Sequence, residues 1–336
     1  MRVAASDAAA ARTAATRILV VLALCALTVA CVAHRHMIAR NLADASVRTV
    51  DLDSVPFFPQ RDFQCGPAAL ATVLGASGVN VTPDKLTEQV YIPSRKGSLQ
   101  IEMQAAPRKY ARLTYPLARN LNAILTELNA NRPVLVLHNY GIPYFPRWHY
   151  AVVVGYDLAS DTIVLRSGVT RRQVLSAANF MRAWDNGGRW SLVVLRPGEI
   201  PTTANATTYL ESAAAFERTA TPADARLVFD AAIQRWPNDP VAWIGRGTAE
   251  YRAGNLTAAA RDYDTALRMD DSNDGARNNL AMTWLDLGCP SRAREQMEKI
   301  NDAELRSPLR AAILDTRQKV DSALQKSDSA ACANTP

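Results

Sequence analysis

The feature of this sequence that most constrains its fold is a 34-residue period between residues 209 and 326. Gly254 and Gly288 are 34 residues apart, and so are Phe229 and Tyr263. The same spacing joins three further pairs: Tyr251 and Leu285, Ala232 and Ala266, Ala242 and Ala276. Recurrence at this period predicts stacked units of two helices, in which small residues let the helices approach closely. Residues 209–326 are therefore predicted to form an all-α helical repeat domain.

The clearest unit spans residues 240–273 and resembles a tetratricopeptide repeat. A half unit precedes it at residues 223–235, and a weaker unit follows at residues 275–300. So few units bury little surface by themselves, so we expect the array to pack against the rest of the chain or against a capping helix within residues 308–326. The resemblance implies a concave surface that binds a substrate or a protein partner, and no chemistry in the repeats themselves.

The first thirty residues are typical of an export signal. Three arginines precede a 12-residue apolar run at residues 18–29, which is shorter than the roughly 20 residues that a transmembrane helix needs. The following Ala30-Cys31 resembles the lipobox of bacterial lipoproteins, whose cysteine carries the lipid. We expect a signal peptide over residues 1–30, lipidation at Cys31 and a tether over residues 31–49, with an uncleaved signal-anchor as the alternative. Val32 after the cysteine favours the outer membrane of the bacterial cell envelope, with the protein facing the periplasm.

Short Val-rich runs set residues 50–200 apart from the repeats. Runs of this kind, bounded by Pro, Gly or Asp, predict strands at residues 52–58, 133–138, 149–156, 162–165 and 190–195. Helical patterns occur at residues 67–77, 82–90, 99–110 and 121–129. Helices first and hairpin-like strands later predict an α+β domain over residues 50–200. Residues 201–208 are interpreted as a linker and residues 327–336 as a polar tail.

Charge and cysteine content exclude several classes of protein. The 336 residues carry a net charge of +6. The excess lies in residues 50–208, with 16 Lys/Arg against 11 Asp/Glu, whereas residues 209–326 hold 16 against 18. So small a charge does not indicate nucleic acid as a partner. The 5 cysteines include no CxxC pair, so no zinc site is predicted, and no other metal or cofactor is expected.

The strongest chemical motif lies at residues 60–70, QRDFQCGPAAL. Cys65 precedes Gly66-Pro67 and an apolar helical pattern, which places it at a helix N-terminus, where proline is favoured. The helix dipole and free backbone N–H groups there are expected to lower the pKa of the thiol. The N–H of Cys65 and the side-chain amide of Gln60 could then hold an oxyanion.

A histidine that can act as the base follows at His149, in the run HYAVVVGYD. Residues 52–195, with these two motifs, resemble the papain-like cysteine peptidases of the bacteriocin-processing type, which cut leader peptides after a double glycine. The resemblance implies a papain-like fold with Cys65 as nucleophile, His149 as general base and acid, and Gln60 as oxyanion donor. His138 is interpreted as a buried structural histidine.

The third member of the catalytic group departs from the family. Relatives have an Asp in an Asp-Pro pair after the next strand, where this chain has Ser167. A hydroxyl can accept a hydrogen bond from the imidazole but does not stabilise imidazolium as a carboxylate does. Asp161 and Asn139 are alternative third residues, and the position may also lack one. For the oxyanion donor, Gln64 is a weaker alternative to Gln60.

These motifs predict a cell-envelope cysteine peptidase that acts on a peptide or protein substrate. Two alternatives keep the same residues. The first is an acyl or peptidyl transferase, in which the same nucleophile passes the acyl group to an amine. The second is an inactive scaffold whose repeats carry the function, an interpretation that the absence of the carboxylate favours.

Overall fold

The structure, a computed structural model, describes residues 37–42, 47–60, 63–142, 144–301 and 309–326. The predicted signal peptide, most of the tether including Cys31, and the polar tail lie outside the described residues. Among the helices that are described, none has the length and apolar character needed to cross a membrane.

The first part of the chain combines seven strands with six α-helices among the described residues. The strands are β1 (Thr49–Asp51), β2 (Leu113–Pro116), β3 (Val134–Asn139), β4 (Trp148–Asp157), β5 (Thr162–Ser167), β6 (Thr170–Ser176) and β7 (Ser191–Leu195). The helices are α1 (Met37–Asn41), α2 (Cys65–Ala76), α3 (Pro83–Val90), α4 (Gln100–Ala105), α5 (Leu121–Asn129) and α6 (Ala177–Asn186), with short 3-10 helices at Pro93–Arg95 and Ala106–Tyr110. The predicted α+β class is confirmed.

All described strands belong to one antiparallel sheet, in the order β2-β7-β3-β4-β5-β6, with β1 beside the end of β4. Strands β3, β4 and β5 are almost entirely buried, as continuous apolar runs predict. Helix α2 packs against β4, and its residues 66–74 are buried. The helix that begins at Cys65 therefore lies directly against the central strands.

One strand prediction was wrong. Residues 52–58 are not a strand; the strand ends at Asp51, because Pro56 and Pro59 have no N–H to donate to a ladder. Strands β1, β2 and β6 were not predicted. The residues of β6 are mostly exposed and polar, as those of edge strands commonly are.

The second part of the chain is helical throughout its described residues. Its helices are α7 (Ala206–Glu217), α8 (Pro222–Arg235), α9 (Pro240–Arg252), α10 (Leu256–Met269), α11 (Asp274–Asp286), α12 (Pro290–Glu298) and α13 (Leu309–Lys326). First helices of successive units begin at residues 206, 240 and 274, and second helices at 222, 256 and 290, each 34 residues on. The period is therefore that of helix pairs, and α7 completes the unit that the sequence showed as a half.

Glycines explain how closely these helices pair. A Cβ added to Gly245 would lie 2.1 Å from the ring of Phe229, and one added to Gly247 would lie 2.9 Å from the ring of Tyr263. Gly254 has a positive φ of 80° at the end of α9, where a left-handed residue terminates the helix. Small residues thus admit aromatic rings between the paired helices.

The two parts share one hydrophobic core. Buried residues of the sheet and of α7–α9 form a continuous cluster that includes Tyr209 and Phe216. The intervening segment is also tied down, because the buried carboxylate of Glu127 accepts hydrogen bonds from the N–H and hydroxyl of Thr203, at 2.8 Å each. At the far end, α13 packs on α11 and α12 through Ile313 and Val320, which is the role predicted for a capping helix.

Candidate active site

Cys65 is the first residue of α2, at the N-terminus that the sequence predicted. Its side chain is half-buried, and it is the free cysteine among the described residues. The next residue has to be small, since a Cβ on Gly66 would lie 2.4 Å from the hydroxyl of Ser98. The helix therefore presents the thiol beside free backbone N–H groups in a closely packed site.

His149 lies near the start of β4, and Ser167 lies at the end of the adjacent strand β5. His149 Nε2 is 2.9 Å from Ser167 Oγ. A neutral imidazole that donates through Nε2 carries its free lone pair on Nδ1, so Nδ1 is the ring nitrogen left to accept a proton. Ser167 thus sits where an orienting group is needed.

The two other residues considered for the third position are engaged elsewhere. Asp161 accepts hydrogen bonds from the N–H groups of Met37 (3.2 Å) and Ile38 (2.8 Å), at the start of α1. Asn139 accepts from the N–H groups of Gly141 (2.9 Å) and Arg147 (2.8 Å) and so shapes the β3–β4 loop. Of the three, Ser167 is the residue that contacts the imidazole.

Gln60 is held close to the same strands. Its N–H donates to the carbonyl of Gly168 at 3.0 Å, and its side-chain amide donates to the carbonyl of Tyr150 at 3.3 Å. Gln60, Cys65 and His149 line one cavity of about 1010 Å³. Gln64, the weaker alternative, occupies the N-cap position of α2 without a side-chain hydrogen bond to the helix, and it is not among the residues that line this cavity.

Burial controls the electrostatics of the candidate pair. It raises the pKa of the Cys65 thiol above its ordinary value of 9.0, even though backbone N–H groups of Tyr150, Gly66 and Cys65 act to lower it. It also lowers the pKa of His149 below 6.5. The position at a helix N-terminus predicted a lowered thiol pKa, and that prediction was wrong because desolvation outweighs the backbone N–H groups. In the free protein the structure favours a neutral thiol and a neutral imidazole.

A second histidine lies next to this group. His138 on β3 is the register partner of His149, and burial together with the charge of His149 lowers its pKa to about 3. Its Nδ1 is 2.8 Å from the hydroxyl of Tyr140, whose ring centroid lies 5.9 Å from that of His149. Tyr140 was not singled out from the sequence, since only the register of β3 and β4 brings it to the site.

Comparisons with known proteins identify the family of the first part of the chain. Residues 52–191 match the model of the Peptidase_C39 like family. An uncharacterized protein of Methanothermobacter thermautotrophicus is 32% identical over 111 residues, which is 33% of this chain and 70% of the relative. The chain belongs to the C39-like peptidase family. The resemblance inferred from the Cys65 and His149 motifs is thereby confirmed.

Solved structures resemble each part of this C39-like chain separately. The peptidase domain of Streptococcus ComA, a bi-functional ABC transporter, is 20% identical, covers 42% of this chain and 98% of its own, and has a TM-score of 0.35. The Sgt2 TPR domain from Aspergillus fumigatus is 20% identical, covers 39% of this chain and 93% of its own, and has a TM-score of 0.32. Within the described residues of the C39-like chain, no group of three or more His, Cys, Asp or Glu is placed to hold a metal ion.

Proposed function

We propose that this protein is a cysteine peptidase that hydrolyses peptide bonds in the bacterial cell envelope. The observation that carries the proposal is the convergence of Gln60, Cys65 and His149 on one cavity, with Ser167 bonded to the imidazole. These residues come from a loop, a helix and two strands. A nucleophile, a base and an orienting group within reach of one another are what thiol acyl chemistry requires.

The geometry supports a stepwise mechanism. Nδ1 of His149 takes the thiol proton as Cys65 Sγ attacks the scissile carbonyl, because Nε2 is occupied by Ser167. The N–H of Cys65 and the side-chain amide of Gln60 hold the oxyanion. That amide has two N–H groups; one donates to the Tyr150 carbonyl in the free protein, and the other can donate to the oxyanion. The imidazolium then protonates the leaving amine, and water attacks the thioester through the same base.

A raised thiol pKa makes general-base attack more suitable than a preformed thiolate–imidazolium pair. With the pKa of Cys65 above 9.0 and that of His149 below 6.5, both groups are neutral at neutral pH. The proton is therefore transferred as the carbon–sulfur bond forms. Ser167 holds the imidazole in place but carries no charge that would stabilise imidazolium.

The test compares the full chain with its Cys65→Ala variant on a mixture of envelope peptides, with products identified by mass spectrometry. We expect new free carboxyl termini with the wild-type protein and none with the variant, while both unfold at the same temperature. Cleavage that persists in the variant would exclude Cys65 as the nucleophile. Products that carry a new amide in place of a free acid would identify the transferase alternative.

A second candidate function is an inactive scaffold that binds peptide without cutting it. The raised thiol pKa and the absence of a carboxylate beside His149 favour it. In that case wild type and Cys65→Ala would bind the same peptides and neither would cleave them.

The location and the repeats complete the proposal. We propose that Cys31 is lipidated and holds the protein on the outer membrane, facing the periplasm. A disulfide at Cys289 supports an oxidising compartment. Metabolic labelling with an alkyne fatty acid should label the wild-type protein and not the Cys31→Ala variant.

The helical repeats are proposed to bind the substrate or a protein partner. Crosslinking from the exposed residues Leu227 or Val241 would capture that partner.

A further inference from the structure

The active-site cavity has two distinct walls. One is the 93–99 loop, which a backbone hydrogen bond of 2.8 Å between Ile92 N–H and the Gly97 carbonyl closes on itself. The other is the β3–β4 loop, described at residues 140–142 and 144–147, in which the N–H groups of Gly141 and Arg147 donate to Asn139 Oδ1. Hydrogen bonds from backbone N–H groups thus shape both loops.

Positive charge lines both walls. Arg95 and Lys96 lie on the first wall and Arg147 on the second, and all three are exposed. None of these three side chains forms an ion pair with a described residue; Lys96 Nζ instead lies 5.5 Å from the ring centroid of Phe63. The described residues that line the cavity include no Asp or Glu. The described lining of the cavity therefore carries positive charge from two separate loops.

An unpartnered hydroxyl also belongs to this site. Ser98 Oγ is shielded from solvent and makes no hydrogen bond. It lies against Gly66, and Ser98 also lines the cavity. A buried hydroxyl without a partner costs free energy, and a carboxylate or carbonyl oxygen of a bound peptide would supply the missing acceptor.

We propose that the cavity selects acidic peptide segments, with Arg95, Lys96 and Arg147 as specificity-determining residues and Ser98 as a hydrogen-bond donor to the bound chain. The proposal rests on the peptidase function proposed above and names its substrate class. Asp or Glu side chains near the scissile bond would pair with the two cations of the 93–99 loop on one side and with Arg147 on the other. Charge pairing of this kind steers association and sets specificity.

The test profiles cleavage sites on peptides derived from a bacterial proteome and then measures kcat/KM on the best-cleaved peptide and its Glu→Lys counterpart. The double variant Arg95→Glu/Lys96→Glu reverses two charges on one wall. Its matched control is Lys85→Glu/Lys109→Glu, since both lysines are exposed and neither lines the cavity. The two variants therefore have the same net charge and differ only in where the charge is reversed.

We expect cleavage sites of the wild type to be enriched in Asp and Glu, and this preference to weaken as ionic strength rises. The Arg95/Lys96 variant should lose about tenfold in kcat/KM on the acidic peptide and gain on the Lys counterpart, as reversal of two exposed charges allows. The Lys85/Lys109 control should keep the wild-type preference.

A failure of the proposed acidic substrate class can be distinguished from a failure of the proposed peptidase function. Cleavage by the wild type without acidic enrichment would overturn the substrate class and leave the peptidase function standing. Equal losses in both double variants would also overturn it, because the effect would then come from net charge and not from the cavity. No cleavage of any peptide by the wild type would overturn the peptidase function and this inference with it.

Discussion

Two parts of this chain differ in the range of their internal contacts. They are the peptidase part, residues 37–195, named for its family, and the repeat part, residues 206–326. In the repeats, Arg246 bonds to Asp230 and to Asp262, each 16 residues away, and the same step relates Gly245 to Phe229. In the peptidase part, Cys65 and His149 lie 84 residues apart (65 to 149) and line one cavity only because the fold brings them to it. Local contacts build a scaffold that repeats, whereas long-range contacts are needed to assemble a site from unlike residues.

The boundary between the two parts nevertheless lies inside a common core. Helices α7–α9 contribute Tyr209, Phe216 and Phe229 to the cluster that also contains the central strands. The last helices, α11–α13, build a separate cluster around Ile313. The first repeats are thus expected to unfold with the peptidase part, and the last ones more independently.

The largest expected effect is that of His149→Ala, which should change catalysis in the peptidase part and leave the repeat part unchanged. Loss of the base removes catalysis without touching a repeat, and general-base removal typically costs about a thousandfold. We therefore expect kcat/KM on a cleaved peptide to fall about a thousandfold, with the midpoint of urea unfolding unchanged. Activity above a tenth of the wild-type value would show that His149 is not the base.

The shared core can be broken with Phe216→Ala. Phe216 is fully buried in α7, and truncation of a buried Phe costs about 3–5 kcal/mol. We expect amide hydrogen exchange to accelerate in α7 and also in β4.

The matched control is Ile313→Ala, which empties the separate cluster at the end of the array. It should accelerate exchange in α11–α13 and leave β4 unchanged. If β4 responds to neither substitution, the two parts unfold independently and the common core contributes no coupling.

Within the repeats, Gly245→Ala tests whether close helix pairing sets stability. The added Cβ would lie 2.1 Å from the ring of Phe229, and overpacking of this kind costs about 1–3 kcal/mol. Thermal unfolding should shift down, with the rate of peptide cleavage per folded molecule unchanged.

Gly275→Ala serves as its control, since the nearest atom, Asn273 Oδ1, is 3.4 Å from the added Cβ. Alanine favours helix over glycine by up to about 1 kcal/mol. A neutral or stabilising effect is expected, and equal destabilisation by both substitutions would rule out the ring contact as the cause.

The smallest expected effect is that of Ser167→Asp, which tests whether residue 167 orients the imidazole of His149. A carboxylate at Nε2 stabilises imidazolium, so the pKa of His149 should rise from its lowered value and kcat should increase about tenfold. In the wild type the imidazole is neutral at pH 6.5 and above, so kcat/KM falls only below that pH. In the variant this acidic limb should move to higher pH, as a pH–rate profile would measure. An unmoved limb would indicate that residue 167 does not orient the base.

Several parts of the fold could be predicted from the apolar runs and the repeat period of the sequence alone. The strands β3, β4, β5 and β7 were predicted within one or two residues, because fully buried strands appear as continuous apolar runs. The repeat period located every helix from α8 to α12. Strands β1, β2 and β6 were not predicted, since β1 is only three residues long, β2 is only four residues long and β6 is polar along an exposed edge.

The candidate site shows the same division. Cys65 and His149 carry local motifs, so their types and positions could be predicted from neighbouring residues. The choice among Ser167, Asp161 and Asn139 could not, because it depends on which side chains the β4–β5 pairing brings to the imidazole. The pKa of Cys65 could not be predicted either, since desolvation depends on what packs over the thiol.

The sequence by itself determined the helix pairs, the buried strands, the family and the two residues of the candidate catalytic pair. Each of these depends on periodicity or on neighbours along the chain. The tertiary structure alone decided that Ser167 contacts His149, that cations from two separate loops line one cavity, and that α7–α9 share the core of the sheet. Those features depend on strand register and on packing between distant segments, for which adjacent residues carry no signal.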